Sequence, residues 1–496
     1  MHATPGDIFS AVSGSRILGD PSVRVGAPVT DSRRVAPGSL FFAIGGLRTA
    51  GARYVGEAVL RGASGVVVDS ESDAPAGVPC VVVPDVRKAL ALASREFYGR
   101  PDESLSVLGV TGTNGKTTVS MLARHLMQQS GGRPWGLVGT VRYELGDRSI
   151  PSHKTTPESV DIYGMMSGMV RAGCEGVAME VSSHAVDQDR VHGLRFKAVA
   201  FTNLSRDHMD YHGDMESYFA VKSRVFGGAS DHAPGCALIN SDDAWGARLA
   251  QNLAGGAARV LCFGTGAEAD IRAENVRLGS GGSEFDVVWS GGRAPVRTRL
   301  PGHYNVSNVL CALALCHAAG RDIGSIAPLL EKFPGVPGRM EKVADGLPFE
   351  VLVDYAHTDD ALRNALGMLR PITPGRLLVV FGCGGNRDRG KRPKMTAAVQ
   401  EIADHAWATS DNPRRESLDD IFADMRGGVS RPDAITFAPD RRRAISLALD
   451  AARPGDCVLI AGKGHETYQE FADTTVPFDD REVARELLDL KSLRAR

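Results

Sequence analysis

Short apolar runs bounded by glycine, proline and small polar residues recur along this chain, spaced as strands that alternate with helices. The first set is "SLFFAIGG" (39–46), "GVVVD" (65–69) and "PCVVVPD" (79–85), with Ala/Leu-rich stretches between. The second is "SVLGV" (106–110), "GVAMEV" (176–181), "AVAFTNL" (198–204) and "CALIN" (236–240). Behind its first member Val119, Leu122, Ala123 and Leu126 keep helical period. The third is "FEVLVDYA" (349–356), "RLLVVFGCGG" (376–385), "HAWATSDN" (405–412) and "DCVLIAGKG" (456–464). Strands alternating with helices predict parallel, doubly wound sheets.

Two segments rich in turn residues separate the sets, "YGRPDESLS" (98–106) and "FPGVPGRMEKV" (333–343). The expected architecture is α/β in three domains: a smaller N-terminal α/β domain (1–100), a central domain with a mostly parallel sheet (101–336) and a Rossmann-like C-terminal domain (337–496). Length agrees, because roughly 150 residues per domain suggests three for 496 residues.

Composition narrows the function classes. With 43 % hydrophobic residues, 23 % charged residues and a net charge of −2, nothing favours a nucleic-acid or membrane-surface binder. No apolar run approaches the roughly 18 residues of a membrane span. The opening "MHATPGDIFSAVSGS" has neither a basic nor an apolar signal region, so a cytoplasmic protein is expected. The eight cysteines are scattered, fitting neither a metal knuckle nor a disulfide framework, and reduced thiols follow.

Candidate chemistry starts at "GVTGTNGKTTVS" (109–120), between a predicted strand and a predicted helix. Thr111, Gly112, Thr113, Asn114, Gly115, Lys116, Thr117 and Thr118 form a glycine turn whose N–H groups can cradle phosphates at a helix N-terminus. Lys116 would reach the β/γ-phosphates and Thr117 would hold Mg²⁺. The strict phosphate-loop pattern wants glycine where Val110 stands, so the loop is a shortened variant. Two later segments, "AMEVSSHAVDQDRV" (178–191) and "FTNLSRDHMDYHGDMESYFAVKSRVF" (201–226), place Glu180 and His208 near strand ends, where open α/β sheets bind ligands. A zinc helix is disfavoured, since Met209 stands where a metalloprotease needs glutamate.

The shortened loop "TGTNGKTT" resembles that of the Mur ligase and folylpolyglutamate synthetase superfamily, and the two later segments resemble the Mur ligases. By that resemblance ATP is the nucleotide, and Glu180 and His208 hold Mg²⁺. Lys222 matches a carbamylated lysine, whose CO₂ adduct is an anion able to ligate a hard cation. Thr155, Thr156, Ser182, Gln188 and Arg190 would contact the muramyl-peptide part of a UDP-MurNAc-L-Ala-D-Glu substrate. Thr30 and Ser32, in "VTDSRRVAPGSLFFAIGG" (29–46), would meet its uridine. Asn305, Arg339, Asp354 and His357 would approach the nucleotide.

In the third block "FGCGGNRDRGKRPKM" (381–395), "SDNPRRES" (410–417) and "AGKGHETYQ" (461–469) follow what read as three successive strands and should open on one rim. The second resembles the Asp-Asn-Pro-Arg signature of Mur ligases that add meso-2,6-diaminopimelate rather than lysine. That amino acid is lysine with a second, distal carboxylate, and a guanidinium pairs with a carboxylate bidentately. Arg414 is assigned that role. Asp411, Asn412 and Pro413 shape the turn, Glu466 answers the distal ammonium, and Arg387 and Gly462 complete the pocket. Arg415 reads as a solvated surface charge.

The resemblance therefore implies an ATP- and Mg²⁺-dependent amide ligase, monomeric, that proceeds through an acyl phosphate, with Lys116, Lys222, Glu180 and His208 as its catalytic groups. Three alternatives stand beside it. They are the same ligation with L-lysine, a folylpolyglutamate synthetase-like ligase, and a nucleotide-dependent module that ligates nothing.

Overall fold

The computed structural model describes residues 3–45, 50–227, 233–279 and 281–494, and in it the apolar runs become the interior strands of three sheets. Gly46, the last residue of the first run, lies outside the described residues. The first sheet has the order Arg16–Leu18, Cys80–Val82, Gly65–Val68, Leu40–Phe42, Pro28–Val29, all parallel except its first strand.

The second sheet has eleven strands. Seven run parallel in the order Trp135–Val138, Gly176–Glu180, Ser106–Thr111, Ala198–Phe201, Cys236–Asn240, Arg259–Gly264, Ile271–Gly279. Antiparallel strands extend both edges: Arg142–Glu144 and Ser149–Pro151 beyond one, Gly282–Trp289 and Gly292–Thr298 beyond the other. From Ser106–Thr111 the chain passes through helix Lys116–Gly131 to one side of the sheet, and later returns to the other side at Ala198–Phe201. The carboxyl end of Ser106–Thr111 is thus a topological switch point, where a crevice opens.

Period-two alternation feeds two cores. Val107 packs with Ile162, Met166 and Tyr218 on one face, while Leu108 and Val110 pack with Val119, Leu122 and helix His303–Ala318 on the other. That last helix is buried continuously from Asn308 to Cys316, so its apolar residues surround it instead of forming one stripe.

The third sheet runs Glu341–Lys342, Glu350–Asp354, Cys457–Ala461, Leu377–Cys383, His405–Ser410, Ile435–Phe437, with only the first strand antiparallel. Leu377, Val379 and Phe381 enter one core, and Leu378 and Val380 the other. Because these five strands are parallel, the segments after Asp354, Cys383, Ser410 and Ala461 emerge on one rim. One expectation needs correcting. The short strand Ile435–Phe437 intervenes along the chain, so the three loop-bearing strands are neighbours in the sheet but not consecutive in sequence.

The polar run at 98–106 is no solvated linker. Pro101–Ser104 is a helical turn, and Arg95 pairs with Asp102, both buried. Among the described residues no helix is long and apolar enough to cross a membrane. All eight cysteines are free, seven of them buried.

Candidate active site

Two glycines of the loop are required by close approach. A Cβ on Gly112 (φ +143°) would sit 2.0 Å from Thr202 Oγ1, and one on Gly115 (φ +88°) would sit 2.4 Å from Asn308 Oδ1. The segment 202–205 cinches the loop from outside. Thr113 N donates to Asn203 O at 2.9 Å, Asn114 N to Asn203 Oδ1 at 3.0 Å, and Thr202 Oγ1 to Asn114 O at 2.6 Å. Thr111, Thr117 and Thr118 are buried behind the turn. The 16-residue helix that begins at Lys116 points its N-terminus into the crevice.

Lys116 Nζ donates to Gly112 O at 2.9 Å and to Thr113 O at 2.8 Å. Lys222, from helix Met215–Gly227, donates to the same Gly112 O at 2.8 Å, and its side chain lies over the Tyr218 ring. Lys222 is only 1 % exposed. Burial, with Lys116 adding repulsion, pushes the Lys222 ammonium far below its ordinary pKa. Desolvation also lowers Lys116, against the pull of Glu180 and Asp207.

Glu180 ends its strand level with Val110 and is buried. Its carboxylate accepts from Thr117 Oγ1 (3.1 Å), Thr140 N (2.7 Å) and Thr140 Oγ1 (3.0 Å). His208, in the left-handed region at φ 55°, stands beside Asp207 at 3.4 Å and edge-on to His184. Partial desolvation of its half-exposed ring, opposed by Asp207, lowers its pKa and favours the neutral imidazole that a metal needs. Among the described residues no three His, Cys, Asp or Glu side chains gather as a metal site. The expected set therefore depends on Thr117 and on a modified Lys222 beside Glu180 and His208. Hard oxygens at Thr117 and Glu180, 3.1 Å apart, fit a hard divalent cation.

The expected substrate contacts divide into two kinds. Thr156 is buried, donating to Glu180 O at 2.8 Å and accepting from Ser182 N at 3.0 Å, and Ser182 Oγ caps helix Ser183–Asp187. These hydroxyls hold strand ends in place. Thr155 shares a 3.0 Å contact with Thr140 and so lies one hydroxyl from Glu180. Arg190 is fixed by Thr156 O (2.8 Å) and Gln188 Oε1 (2.6 Å). In the first sheet Thr30 is half-buried at a strand end, and Ser32 donates to Glu57 at 2.8 Å.

Helix His303–Ala318 brings Asn305 beneath the loop, since Asn308 joins Asn305 Oδ1 at 3.1 Å and lies against Gly115. From the third domain Asp354 accepts from Met340 N and Ala356 N, both at 2.8 Å. Burial raises its pKa despite Arg339 nearby. Arg339 lies over the Tyr355 ring at 4.6 Å, and His357 Nδ1 contacts Tyr355 O at 2.7 Å. The two domains touch where Ser205 Oγ donates to Asp360 Oδ2 at 2.9 Å. Ser205 also exchanges hydrogen bonds with Thr113.

On the third sheet's rim Asn412 Nδ2 donates to Glu466 Oε2 at 2.9 Å. The fully buried Lys463 donates to Asn412 Oδ1 (3.1 Å) and to that same Glu466 Oε2 (2.9 Å). A Cβ on Gly462 would meet Asp411 Oδ2 at 2.8 Å, so glycine keeps these two loops in contact. Pro413 is buried and Arg387 exposed. Arg414 adopts φ 54° and donates to Gly385 O at 3.0 Å. Arg415 reaches only the surface residue Asp473, and its side chain is 72 % exposed.

Sequence reasoning missed Ser205, Asp360, Lys463 and Thr140. Ser205, Asp360 and Lys463 sit within or beside segments that were read and Thr140 lies between them, but none looks unusual until the fold supplies its partner.

Three family models match in order along the chain: Mur ligase family, catalytic domain (29–98), Mur ligase middle domain (110–316), and Mur ligase, glutamate ligase domain (338–464). A relative from Solibacter usitatus (strain Ellin6076), named UDP-N-acetylmuramoyl-L-alanyl-D-glutamate–2,6-diaminopimelate ligase, is 44 % identical over 97 % of this chain and 98 % of its own. A protein of the same name from Geobacillus kaustophilus (strain HTA426) is 44 % identical over 92 % of this chain and 93 % of its own. A solved structure of a ligase with that name is 32 % identical, with a TM-score of 0.71 over 99 % of this chain and 100 % of its own.

Proposed function

This chain belongs to the Mur ligase family, and from that premise we propose that it joins meso-2,6-diaminopimelate to UDP-MurNAc-L-Ala-D-Glu with ATP, a step of peptidoglycan synthesis. One observation carries the reading. The glycine loop with Lys116 and Lys222 faces the third domain's rim segments across a contact between Ser205 and Asp360. Residues 1–100 take the uridine end, 101–336 take ATP, and 337–496 take the amino acid. The protein works as a cytoplasmic monomer.

The reactive carboxylate of D-glutamate attacks the γ-phosphorus, ADP leaves, and an acyl phosphate forms. The amine of diaminopimelate then adds to the acyl carbon, and phosphate departs with one former carboxylate oxygen. Lys116 offsets charge on the transferring phosphoryl, a reaction governed mainly by positioning and electrostatics. Lys222, whose burial disfavours the ammonium form, supplies the free amine that adds CO₂, and loss of a proton makes it a carbamate. With Thr117, Glu180 and His208 that carbamate would hold Mg²⁺, whose charge stabilises the phosphoryl oxygens. Thr155, Gln188 and Arg190 orient the muramyl peptide. Thr30 and Ser32 meet the uridine. Asn305, Arg339, Asp354 and His357 frame the nucleotide.

Arg414 pairs with the distal carboxylate of the incoming amino acid, within a pocket shared with Arg387, Asn412, Gly462 and Glu466. Lysine in that pocket leaves the guanidinium without the distal carboxylate it is positioned to receive, a penalty of roughly 1–3 kcal/mol.

The test supplies purified protein with ATP, Mg²⁺ and UDP-MurNAc-dipeptide, then compares amino acids by phosphate release and product mass. Amide formation with meso-diaminopimelate, and far less with L-lysine, is expected. Preferred use of lysine or of a folate substrate would refute the assignment. ATP binding without any amide product would leave a nucleotide-dependent binding module.

A further inference from the structure

Beyond the family-matched residues, which end at 464, the chain forms a hairpin of Tyr468–Phe471 and Thr474–Pro477. The hairpin is joined to the selective turn as if the turn were a further strand. Arg414 N donates to Glu470 O at 3.0 Å, Ala472 N donates to Arg414 O at 2.6 Å, and Arg414 bridges Phe471 in parallel. Glu470 N also donates to Asn412 Oδ1 at 3.0 Å, so one hairpin residue touches Asn412 as well as Arg414.

The side chains add a second link. Glu470 Oε2 lies 2.6 Å from Arg414 Nε, while Arg414 Nη1 donates to Gly385 O. That carboxylate oxygen is buried and among the described residues has no aligned hydrogen-bond donor, so the Arg414 charge is what compensates it. Arg414 is held at Nε on one side and at Nη1 on the other, which orients the plane of the guanidinium. A cavity of about 330 Å³, bounded by Asn386, Arg415 and Asp473, adjoins Arg414 and gives an unrestrained side chain room to turn away.

We propose that Glu470 is a positioning residue for amino-acid selectivity: it holds the Arg414 guanidinium in the orientation that receives the distal carboxylate of diaminopimelate. This rests on the reading of Arg414 given above. A bidentate pair requires both donors aligned in advance, and the entropy of fixing a loose arginine would otherwise oppose binding.

Steady-state kinetics of Glu470→Ala test it. The KM for diaminopimelate should rise roughly ten- to a hundredfold, and its preference over lysine should fall with it. The KM values for ATP and UDP-MurNAc-dipeptide should stay within about twofold. Glu470→Gln, which keeps the shape but loses the charge facing Nε, should show most of the same loss. Asp473→Ala, on the same hairpin but paired only with Arg415, should behave as wild type. An unchanged KM for diaminopimelate in Glu470→Ala overturns the inference alone, provided the wild type ligates that amino acid. So does an equal effect from Asp473→Ala, which would mean hairpin integrity is what matters. A wild type that ligates no diaminopimelate overturns this inference and the functional reading together.

Discussion

Lys116 and Lys222 donate to one acceptor, the carbonyl oxygen of Gly112, at 2.9 and 2.8 Å. Two ammonium groups crowded on a single buried oxygen repel each other, and the more deeply buried one yields its proton first. The fold thereby disfavours the ammonium form at 222. Carbamylation of that side chain would replace repulsion by Lys116 with attraction.

Removing the buried amine should separate stability from activity. Lys222→Met replaces a desolvated amine with an apolar head of similar length, and Gly112 O keeps Lys116 as a donor, so its Tm should equal or exceed that of wild type. Its kcat should fall by roughly a hundred- to a thousandfold, the scale of a lost transition-state electrostatic group. Scanning calorimetry and phosphate release measure the two. Turnover by wild type should also decline in CO₂-stripped buffer and return with bicarbonate.

Gly112→Ala should abolish nucleotide binding. Its methyl would collide with Thr202 Oγ1 at a backbone angle that L-residues rarely adopt. Strain of about 1–3 kcal/mol should appear in chemical denaturation. Loss of ADP affinity, read by calorimetry, should be the larger effect.

Ser205 ties the phosphate loop, through Thr113, to Asp360 at the start of helix Asp359–Leu369. Asp360→Ala should raise the KM for ATP about two- to tenfold, the net worth of one ordinary hydrogen bond. Small-angle scattering of the variant should report a more open average shape.

Arg414→Lys keeps the charge but loses the planar fork. The kcat/KM for diaminopimelate should drop about ten- to a thousandfold, with little change for ATP. Unchanged selectivity would remove the physical account of the pocket.

Acid should destabilise the third domain through Glu416. The buried Arg392 holds the Glu416 carboxylate by paired hydrogen bonds of 2.7 Å and lowers its pKa to about 2. A depressed carboxylate contributes stability that is present above its unfolded pKa, near 4.3, and is lost as pH falls toward the folded value. Melting curves between pH 5 and about 2 should therefore fall more steeply for wild type than for Glu416→Gln. At neutral pH that variant should be about 2–3 kcal/mol less stable, because Arg392 would keep only Asp424 as an ionic partner.

Strands buried on both faces were legible because they read as unbroken apolar runs; Leu377–Cys383 is buried at every position. The meander from Ile271 to Thr298 was missed although its buried and exposed positions alternate. Its outward charges dilute the apolar signal. Two-residue strands such as Pro28–Val29 have no periodicity to detect. The glycine loop was legible because close approach demands those residues locally. Lys222 was legible only through the family resemblance, since its burial comes from Tyr218 and the distant Gly112. Lys463 and Glu470 depend likewise on partners about 50 to 60 positions away in sequence.

The central claim is that the substrate's own carboxylate accepts the phosphoryl group before the amine arrives. Ligation of UDP-MurNAc-dipeptide carrying ¹⁸O in that carboxylate, followed by mass analysis of the released phosphate, tests it most directly. One labelled oxygen in phosphate for each amide formed is the predicted result. Amide formation with unlabelled phosphate would contradict it.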